Sequence, residues 1–258
     1  MSAPAGRGEV PAPVAAIAAG RPTRAVWVNE RGGTTFEVTG DDGREFVKWQ
    51  PPHPLADLGA EVRRLRWAAA YTVVPRVLGT GRDDTGAWLH TVGLPGDAAV
   101  AARWHADPRT AVRAVGRGLR QLHDALPVER CPFDWGPATR LPRLAAESGR
   151  SLSEVTAALG PPPPVDRLVV CHGDPCVPNT LLDDDGEVTG YVDLGALGVA
   201  DRWADLAVAT WSTVWNFGPG YEVPLLAAYG VEADPVRMGW YRALWGDAPT
   251  ARPGGVRG

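Results

Sequence analysis

The chain has 258 residues, of which 45% are hydrophobic and 22% are charged; this composition is ordinary for a globular protein, and the length can hold two lobes. The net charge is −4 and no run of lysine or arginine occurs, which argues against a nucleic-acid partner. No apolar run is long enough to span a bilayer, so we expect no membrane partner.

The first 92 residues predict a β-rich lobe with one helix. Short apolar segments alternate with turn signals, and Asp41-Asp42-Gly43 is typical of a hairpin turn. A helical pattern starts at Leu55, after a proline-rich break. The predicted strands are 25–28, 34–39, 45–49, 73–78 and 87–92.

Residues 93–96 predict a connector, and residues 97–258 predict a second, mainly helical lobe. Within it, 168–171 reads as a short buried strand, and 180–194 reads as a hairpin with Asp193 on its return strand. The expected fold class is α+β, with a β-rich first lobe and a mainly helical second lobe. The predicted helices cover 108–126, 141–159, 203–215 and 225–245.

Three cysteines, Cys131, Cys171 and Cys176, make an odd number. This favours reduced thiols in a cytoplasmic protein. Four residues separate Cys171 from Cys176, whereas zinc sites usually have pairs separated by two, so we do not expect these thiols to bind zinc. We also expect the protein to be a monomer.

The most informative segment is 171–179, Cys-His-Gly-Asp-Pro-Cys-Val-Pro-Asn, followed by Asp193 in Val-Asp-Leu-Gly. The spacing H-x-D-x-x-x-x-N and then D-x-G is typical of a kinase catalytic loop. Asp174 would orient an attacking hydroxyl and accept its proton. Asn179 and Asp193 would hold the Mg²⁺ ions that screen nucleotide phosphates. The pattern therefore predicts phosphoryl transfer from Mg-ATP.

Lys48 is alone on the apolar strand Phe-Val-Lys-Trp. It is either an edge-strand lysine in water or an ammonium that contacts nucleotide phosphates and is held by a helical carboxylate. Glu61 is the preferred carboxylate, and Asp57 is its rival one turn earlier. We expect this lysine to face the metal-binding loop across a nucleotide cleft. Thr34 and Thr35 follow a glycine pair and either help to cradle phosphates or belong to a plain hairpin.

Two polar residues are expected to support the catalytic loop rather than to react. His172 precedes Gly173-Asp174 and is interpreted as a hydrogen-bonding prop. Asp205 lies on an otherwise apolar helix, where a carboxylate needs partners; backbone N–H groups of the loop are the expected ones. Asp201 is predicted to cap the start of that helix, and no chemistry is assigned to His123.

These residues resemble the aminoglycoside phosphotransferases, which have a protein-kinase-like fold. The resemblance is firmest over 169–209 and extends more weakly over 25–245. It implies Asp174 as the catalytic base, Mg²⁺ on Asn179 and Asp193, and Lys48 on the phosphates, paired with Glu61. It also implies that the backbone of Val92 and Leu94 holds adenine.

Within that family, the sequence around Cys176 and the segment Cys131-Pro132-Phe133 look most similar to the streptomycin 3''-phosphotransferases. The chain departs from the family pattern at Ala196, where an arginine commonly follows Asp-x-Gly, so any contact made by that arginine is in doubt. Streptomycin carries two guanidinium groups, which carboxylates bind by forked hydrogen bonds. The candidate acids are Glu222, Glu232, Asp234 and Asp247.

The resemblance implies a nucleotide-binding first lobe and a catalytic, acceptor-binding second lobe. It further implies ATP-dependent phosphorylation of an aminoglycoside hydroxyl that confers antibiotic resistance, with the 3''-hydroxyl of streptomycin as the expected acceptor. Three alternatives to this function remain open at this point. One is a 3'-phosphotransferase for kanamycin- and neomycin-type aminoglycosides. Another is a kinase for a different hydroxylated metabolite. The third is a nucleotide-binding pseudokinase. Such a protein would usually lack one of the residues expected to bind the nucleotide and metal or to catalyse the transfer. All four of them are present in this chain: Lys48, Asp174, Asn179 and Asp193.

Overall fold

The computed structural model describes residues 10–41 and 43–246. The chain divides into two compact units, 1–94 and 95–258, and the division falls inside the predicted connector. The first unit is built on an antiparallel sheet and the second is mainly helical. The expected α+β class is therefore confirmed. Asp42, in the predicted hairpin turn, lies outside the described residues.

The first unit contains a five-stranded antiparallel sheet in the order β1-β2-β3-β5-β4. Its elements are α1 (Ala12–Ala18), β1 (Thr23–Val28), β2 (Thr34–Gly40), β3 (Gly43–Gln50), α2 (Leu58–Ala68), β4 (Val77–Asp83) and β5 (Gly86–Val92).

One face of this sheet forms a core with α1. Phe36 and Val38 lie two residues apart on β2, so both side chains point to the same face. They pack with Val47 of β3 and Val14 of α1, and all four are buried. The alternation of buried and less buried residues on β2 follows from this packing.

Two predicted boundaries in this unit were wrong. The helix starts at Leu58, because Asp57 caps it by accepting a hydrogen bond from the Ala60 N–H at 3.0 Å. The strand expected at 73–78 lies at Val77–Asp83. The end of this strand is set by Asp83. The Asp83 carboxylate accepts hydrogen bonds from the N–H groups of Thr85 and Gly86 and so closes the hairpin to β5.

The second unit combines helices with two small sheets, in which β10 pairs with β7 and the other has the order β6-β8-β9. Its strands are β6 (Asp97–Ala98), β7 (Leu168–Cys171), β8 (Thr180–Leu182), β9 (Val188–Tyr191) and β10 (Gly198–Asp201). Its helices are α3 (Ala102–Ala106), α4 (Pro108–Ala125), α5 (Pro137–Ser148), α6 (Leu152–Leu159), α7 (Trp203–Phe217), α8 (Glu222–Tyr229) and α9 (Pro235–Trp245).

Two features near the catalytic segment differ from the sequence prediction. β9 ends at Tyr191, so Asp193 follows the return strand instead of lying on it. β10 was not predicted, and Asp201 is its last residue rather than the helix cap. The Asp201 carboxylate nevertheless accepts the Trp203 N–H at 2.9 Å. The short apolar strand β10 pairs antiparallel with β7 along its whole length.

Helix α7 forms the centre of the second unit. It packs against α8 and α9, and its residues from Trp203 to Thr210 are buried. Helix α4 presents an apolar stripe that includes Val112, Val115 and Leu119, as its 3.6-residue periodicity predicts. Among the described residues, no helix has both the length and the apolar character needed to cross a membrane.

Replacing Leu206 by alanine tests the role of α7 in stability. Leu206 is fully buried, so Leu206→Ala leaves a cavity and lowers the free energy of unfolding by about 2–5 kcal/mol. Val223→Ala on α8 is the control, because Val223 is 69% exposed and its loss changes stability by less than about 0.5 kcal/mol. Urea unfolding measures both; equal midpoints for the two variants would contradict the packing described.

Candidate active site

The catalytic segment leaves the buried strand β7 and is held by one carboxylate. Asp205, on the first turn of α7, accepts the backbone N–H groups of His172 at 2.6 Å and Gly173 at 2.9 Å. Asp205 is fully buried, so these donors replace the water that the carboxylate would otherwise bind. The loop that presents Asp174 is thereby attached to α7.

His123 completes this support and was missed by the sequence reasoning. Its Nε2 lies 3.0 Å from the Asp205 Oδ2, and its Nδ1 lies 2.8 Å from the Tyr229 hydroxyl oxygen. The chain Tyr229–His123–Asp205 thus connects α8, α4 and α7 to the loop. The only sequence signal was a histidine on the apolar face of a helix, which is more often a satisfied core residue.

Cys171 lies next to the same network. The thiol sulfur, a His123 ring nitrogen and an Asp205 oxygen all lie within 4.8 Å of one another. The thiol donates to the Asp201 carbonyl oxygen at 3.4 Å, and burial raises the pKa of this thiol well above its usual value. A protonated thiol is a poor metal ligand, so we assign this cluster to hydrogen bonding that supports the loop.

His172 props the loop from the other side. Its Nδ1 accepts the Asp174 N–H at 3.3 Å, and its Nε2 lies 3.0 Å from the Val192 carbonyl oxygen. Both ring nitrogens are therefore hydrogen-bonded, one to the catalytic loop and the other to the residue before Asp193. This geometry holds Asp174 beside the segment that contains Asp193.

Gly173 is required by its backbone and by its neighbour. It has φ +84°, a left-handed conformation that favours glycine. A Cβ at this position would meet the Ala196 carbonyl oxygen at 2.2 Å. The turn after Asp193 therefore packs directly on the catalytic loop, and Ala196 forms part of this contact.

Asp174 has an incompletely satisfied carboxylate. Its Oδ1 is buried and accepts no hydrogen bond from any described residue. Burial, followed by repulsion from Asp193, raises the pKa of Asp174, while a hydrogen bond from the Cys176 thiol opposes this shift. A carboxylate in this condition is well suited to accept a proton.

Asn179 and Asp193 are positioned by the backbone around Asp174. The Asn179 Nδ2 donates to the Asp174 carbonyl oxygen at 2.9 Å, and the Asn179 carbonyl oxygen accepts the Val192 N–H at 3.0 Å. Asp193 has φ 64° and ψ 49°, a left-handed conformation that aspartate tolerates better than most residues. Its backbone turns there from β9 into a short 3₁₀ segment, Leu194–Ala196.

These side chains fit Mg²⁺. The ion prefers oxygen ligands, and the segment offers the Asn179 amide oxygen, left over when its nitrogen donates to Asp174, together with the Asp193 carboxylate. The repulsion between Asp174 and Asp193 and the unsatisfied Asp174 Oδ1 both indicate a site that a cation would stabilise.

In the first unit, Lys48 forms an ion pair with Glu61, at 2.6 Å from Nζ to Oε1. Glu61 is only 5% exposed, and the ion pair with Lys48 offsets part of the desolvation of its carboxylate. Asp57, the rival carboxylate, caps α2 and pairs with Arg63 at 3.2 Å instead. The strand and the helix predicted for Lys48 and Glu61 thus bring the two residues together.

The structure places Thr34 and Thr35 at the start of β2, with Thr35 directly opposite Lys48 in the sheet. The preceding turn is closed by the Asn29 side chain, which accepts the Arg31 and Gly33 N–H groups at 2.9 and 2.8 Å. The turn is thus a well-ordered hairpin connection. Any phosphate contact by the two threonines stays a prediction.

Val92 and Leu94 lie at the end of β5 and just beyond it. The Val92 N–H donates to the Arg76 carbonyl oxygen at 3.0 Å, and the Leu94 carbonyl oxygen accepts the Arg44 guanidinium at 3.3 Å. The Val92 N–H is therefore already used within the sheet. Contact with adenine at either residue remains a prediction.

The four acids expected to bind the acceptor have different surroundings. Glu222 pairs with Arg242 at 2.7 Å. Asp234 caps α9 by accepting the Arg237 N–H at 3.0 Å. Glu232 is exposed, and Asp247 lies outside the described residues. The Glu222 and Asp234 carboxylates thus already interact with arginines of the protein itself.

Comparison with known proteins identifies the family to which this chain belongs. The profile described as "APH: Phosphotransferase enzyme family" matches residues 29–241. An aminoglycoside 3'-phosphotransferase of Streptomyces fradiae is 36% identical over 254 residues, which cover 85% of this chain and 92% of the relative. The chain therefore belongs to the aminoglycoside phosphotransferase family and is a phosphotransferase enzyme.

Two further relatives bear on the acceptor. A streptomycin 3''-kinase of Streptomyces griseus is 33% identical over 264 residues, covering 86% of this chain and 92% of the relative. The structure of APH(3'')-Id from Streptomyces rimosus in complex with ADP and streptomycin has a TM-score of 0.63 and 28% identity, covering 84% of this chain and 92% of that one. The family resemblance inferred from the sequence motifs is confirmed.

Asp205→Asn tests the support of the catalytic loop. In asparagine, an NH2 group replaces one of the two accepting oxygens of Asp205. This NH2 group then faces other donors, either the loop N–H groups or His123, and has no acceptor. We expect a loss of about 1–3 kcal/mol in unfolding free energy and a fall in kcat. Asp185→Asn, at an exposed loop acid, is the control. Urea unfolding and turnover are measured together, and an Asp205→Asn protein with wild-type stability would refute this role.

Lys48→Ala tests the expected contact between Lys48 and the nucleotide phosphates. A charge-assisted hydrogen bond to phosphate contributes about 1.5–3 kcal/mol, so kcat/KM for ATP falls about 10- to 150-fold. Arg63→Ala is the control, because its pairing with Asp57 is exposed. Steady-state kinetics at varied ATP measures the effect. Equal kcat/KM values in the Lys48 variant and the wild type would exclude contact between Lys48 and the nucleotide.

Proposed function

We propose that this enzyme transfers the γ-phosphoryl group of ATP to a hydroxyl of an aminoglycoside and so confers resistance to that antibiotic. The observation that carries the proposal is the Asp174 carboxylate, held by the loop that Asp205 anchors and only partly satisfied by hydrogen bonds. The relatives that share this framework are named for aminoglycosides.

The similarity favours the 3'-hydroxyl of kanamycin- and neomycin-type compounds as the acceptor. The 3'-phosphotransferase from S. fradiae is 36% identical, against 33% for the streptomycin 3''-kinase. The 3''-hydroxyl of streptomycin is the second candidate, favoured by the residues around Cys176 and Cys131. The carboxylates expected to bind its guanidinium groups support it less, since Glu222 and Asp234 already pair with arginines.

Asp174 performs the proton transfer in this proposal. It accepts a hydrogen bond from the acceptor hydroxyl and takes the proton as the oxygen attacks the γ-phosphorus. A new P–O bond forms to the acceptor while the bond between the γ-phosphorus and the bridging oxygen of ADP breaks. The raised pKa of Asp174 brings it closer to neutral pH, which favours its function as a base.

Asn179 and Asp193 would hold Mg²⁺, through an amide oxygen and a carboxylate. When bound, the metal screens the negative charge of the phosphates. His172 and Gly173 keep Asp174 oriented towards the acceptor, through the hydrogen bond that the His172 ring accepts from the Asp174 N–H and the one that the Gly173 N–H donates to Asp205. Lys48, oriented by Glu61, supplies a cation for the α- and β-phosphates.

The consequence for the drug follows from charge. A phosphate ester adds about two negative charges at neutral pH, which opposes binding of a cationic antibiotic to an anionic target. We further propose that the enzyme acts in the cytoplasm, where ATP is present, and that it acts as a monomer.

Asp174→Asn tests the catalytic role. The amide cannot accept the hydroxyl proton, so kcat falls at least about 100-fold, whereas ATP binding measured by calorimetry stays within about twofold. Asp184→Asn is the control, because the Asp184 side chain is 96% exposed. Turnover is measured by ADP release, with product mass confirming the added phosphate. Wild-type turnover in Asp174→Asn would refute the assignment.

The acceptor is identified in the same assay with kanamycin, neomycin and streptomycin, each beside a homoserine and an amino-alcohol control. Phosphorus NMR of the product locates the phosphate on the 3'- or the 3''-carbon. Turnover with the amino alcohols and none with the three antibiotics would instead establish a kinase for another metabolite. Absence of turnover with every compound would support the pseudokinase alternative.

A further inference from the structure

Helix α7 carries two neighbouring rows of side chains, one of which faces the catalytic segment. The Ser212 hydroxyl accepts the Val177 N–H at 2.9 Å, and the Asn216 side-chain amide lies 3.1 Å from the same hydroxyl oxygen. Trp211 and Trp215 each precede one of these residues by one position. Residues four apart lie on the same side of a helix, so the two tryptophans form a row beside the one that supports the Asp174 loop.

The two tryptophans continue into a third on α9. The Trp211 and Trp215 ring centroids are 4.7 Å apart with an interplanar angle of 46°, and Trp215 and Trp245 are 5.9 Å apart with an angle of 37°. All three side chains are only partly buried. We call these three residues the aromatic platform. Its rings expose apolar surface that the core does not use.

The platform already binds a cation of the protein. The Arg242 guanidinium lies 5.7 Å from the centroid of the Trp211 ring. Arg242 also donates to Glu222 at 2.7 Å and to the Ala207 carbonyl oxygen at 3.1 Å. An indole face attracts cations through its quadrupole, and here a carboxylate lies beside it. The same chemistry recognises an ammonium or guanidinium group carried on a sugar.

The platform lies partly on the helix that supports the catalytic loop. Because α7 supports the Asp174 loop through Asp205 and Ser212, a ring bound along the tryptophan row lies beside the helix face that holds the base. Arg242 is fixed by three separate partners, counting the Thr210 hydroxyl at 3.1 Å, so it belongs to the scaffold. The Trp215 and Trp245 rings continue the platform from there.

We propose that Trp211, Trp215 and Trp245 form the surface on which a sugar or aminocyclitol ring of the cationic acceptor stacks, with Trp215 at its centre. This inference rests on the proposed aminoglycoside phosphorylation and names the residues that select the acceptor. The C–H groups of the ring pack on the indole faces, and a neighbouring ammonium group adds cation–π attraction. Binding then depends on aromatic faces as well as on carboxylates.

Trp215→Leu tests the platform, because leucine keeps an apolar side chain but removes the π face. The KM for the aminoglycoside that the wild type phosphorylates rises about 5- to 30-fold, while the KM for ATP stays within twofold. Trp215→Phe gives an intermediate KM. Trp240→Leu is the control, since Trp240 also lies on α9 but packs on Tyr241, 5.0 Å away. Thermal melting establishes that each variant is folded.

A second measurement does not require turnover. Titrating the wild type with kanamycin or streptomycin in the absence of nucleotide quenches tryptophan fluorescence, and Trp215→Phe removes most of that change while Trp240→Phe does not. An acceptor KM within twofold of wild type in Trp215→Leu, an equal rise in the KM for ATP, or quenching unaffected by Trp215→Phe overturns the platform. A wild type that phosphorylates no aminoglycoside refutes the proposed function instead, and the quenching experiment then decides the platform by itself.

Discussion

The buried carboxylate of Asp205 is the interaction on which the catalytic segment depends. A fully buried charge must be matched by donors, and here the donors are the two backbone N–H groups that precede Asp174 together with His123. The loop therefore cannot move without leaving the carboxylate unpaired. Helix α7, which carries Asp205, thereby connects the packing of the second unit to the orientation of Asp174.

Two backbone conformations bring the rest of the site close to Asp174. Gly173 and Asp193 both have left-handed φ values, and the Ala196 backbone occupies the space where a Gly173 side chain would lie. The turn that contains Asp193 can therefore pack directly on the catalytic loop. Burial and the resulting proximity of the two carboxylates raise the pKa of Asp174, and this proximity creates an environment that favours a divalent cation.

The same helix connects the proposed chemistry to acceptor choice. One row of α7 contacts the catalytic segment through Ser212, and the neighbouring row continues into the stacked tryptophans. The acids that were expected to bind the guanidinium groups of streptomycin are partly engaged by arginines, as in the pair of Glu222 with Arg242. In the proposed recognition, aromatic surface on α7 and α9 therefore acts together with carboxylates.

The sequence by itself determined the class of fold and indicated which side chains are the candidates for the reaction. Strand and helix periodicities are local, and the H-x-D-x-x-x-x-N spacing lies within one short loop, so both can be read without a structure. Lys48 and Glu61 also followed from this reasoning, because a strand and the next helix leave few alternative partners. Only the tertiary structure revealed the Tyr229–His123–Asp205 chain, the strand β10 and the partners of Glu222 and Asp234. These contacts join residues between 3 and 106 positions apart in the sequence. Tertiary packing decides which side chains meet over the longer separations, and a local sequence pattern does not encode that packing.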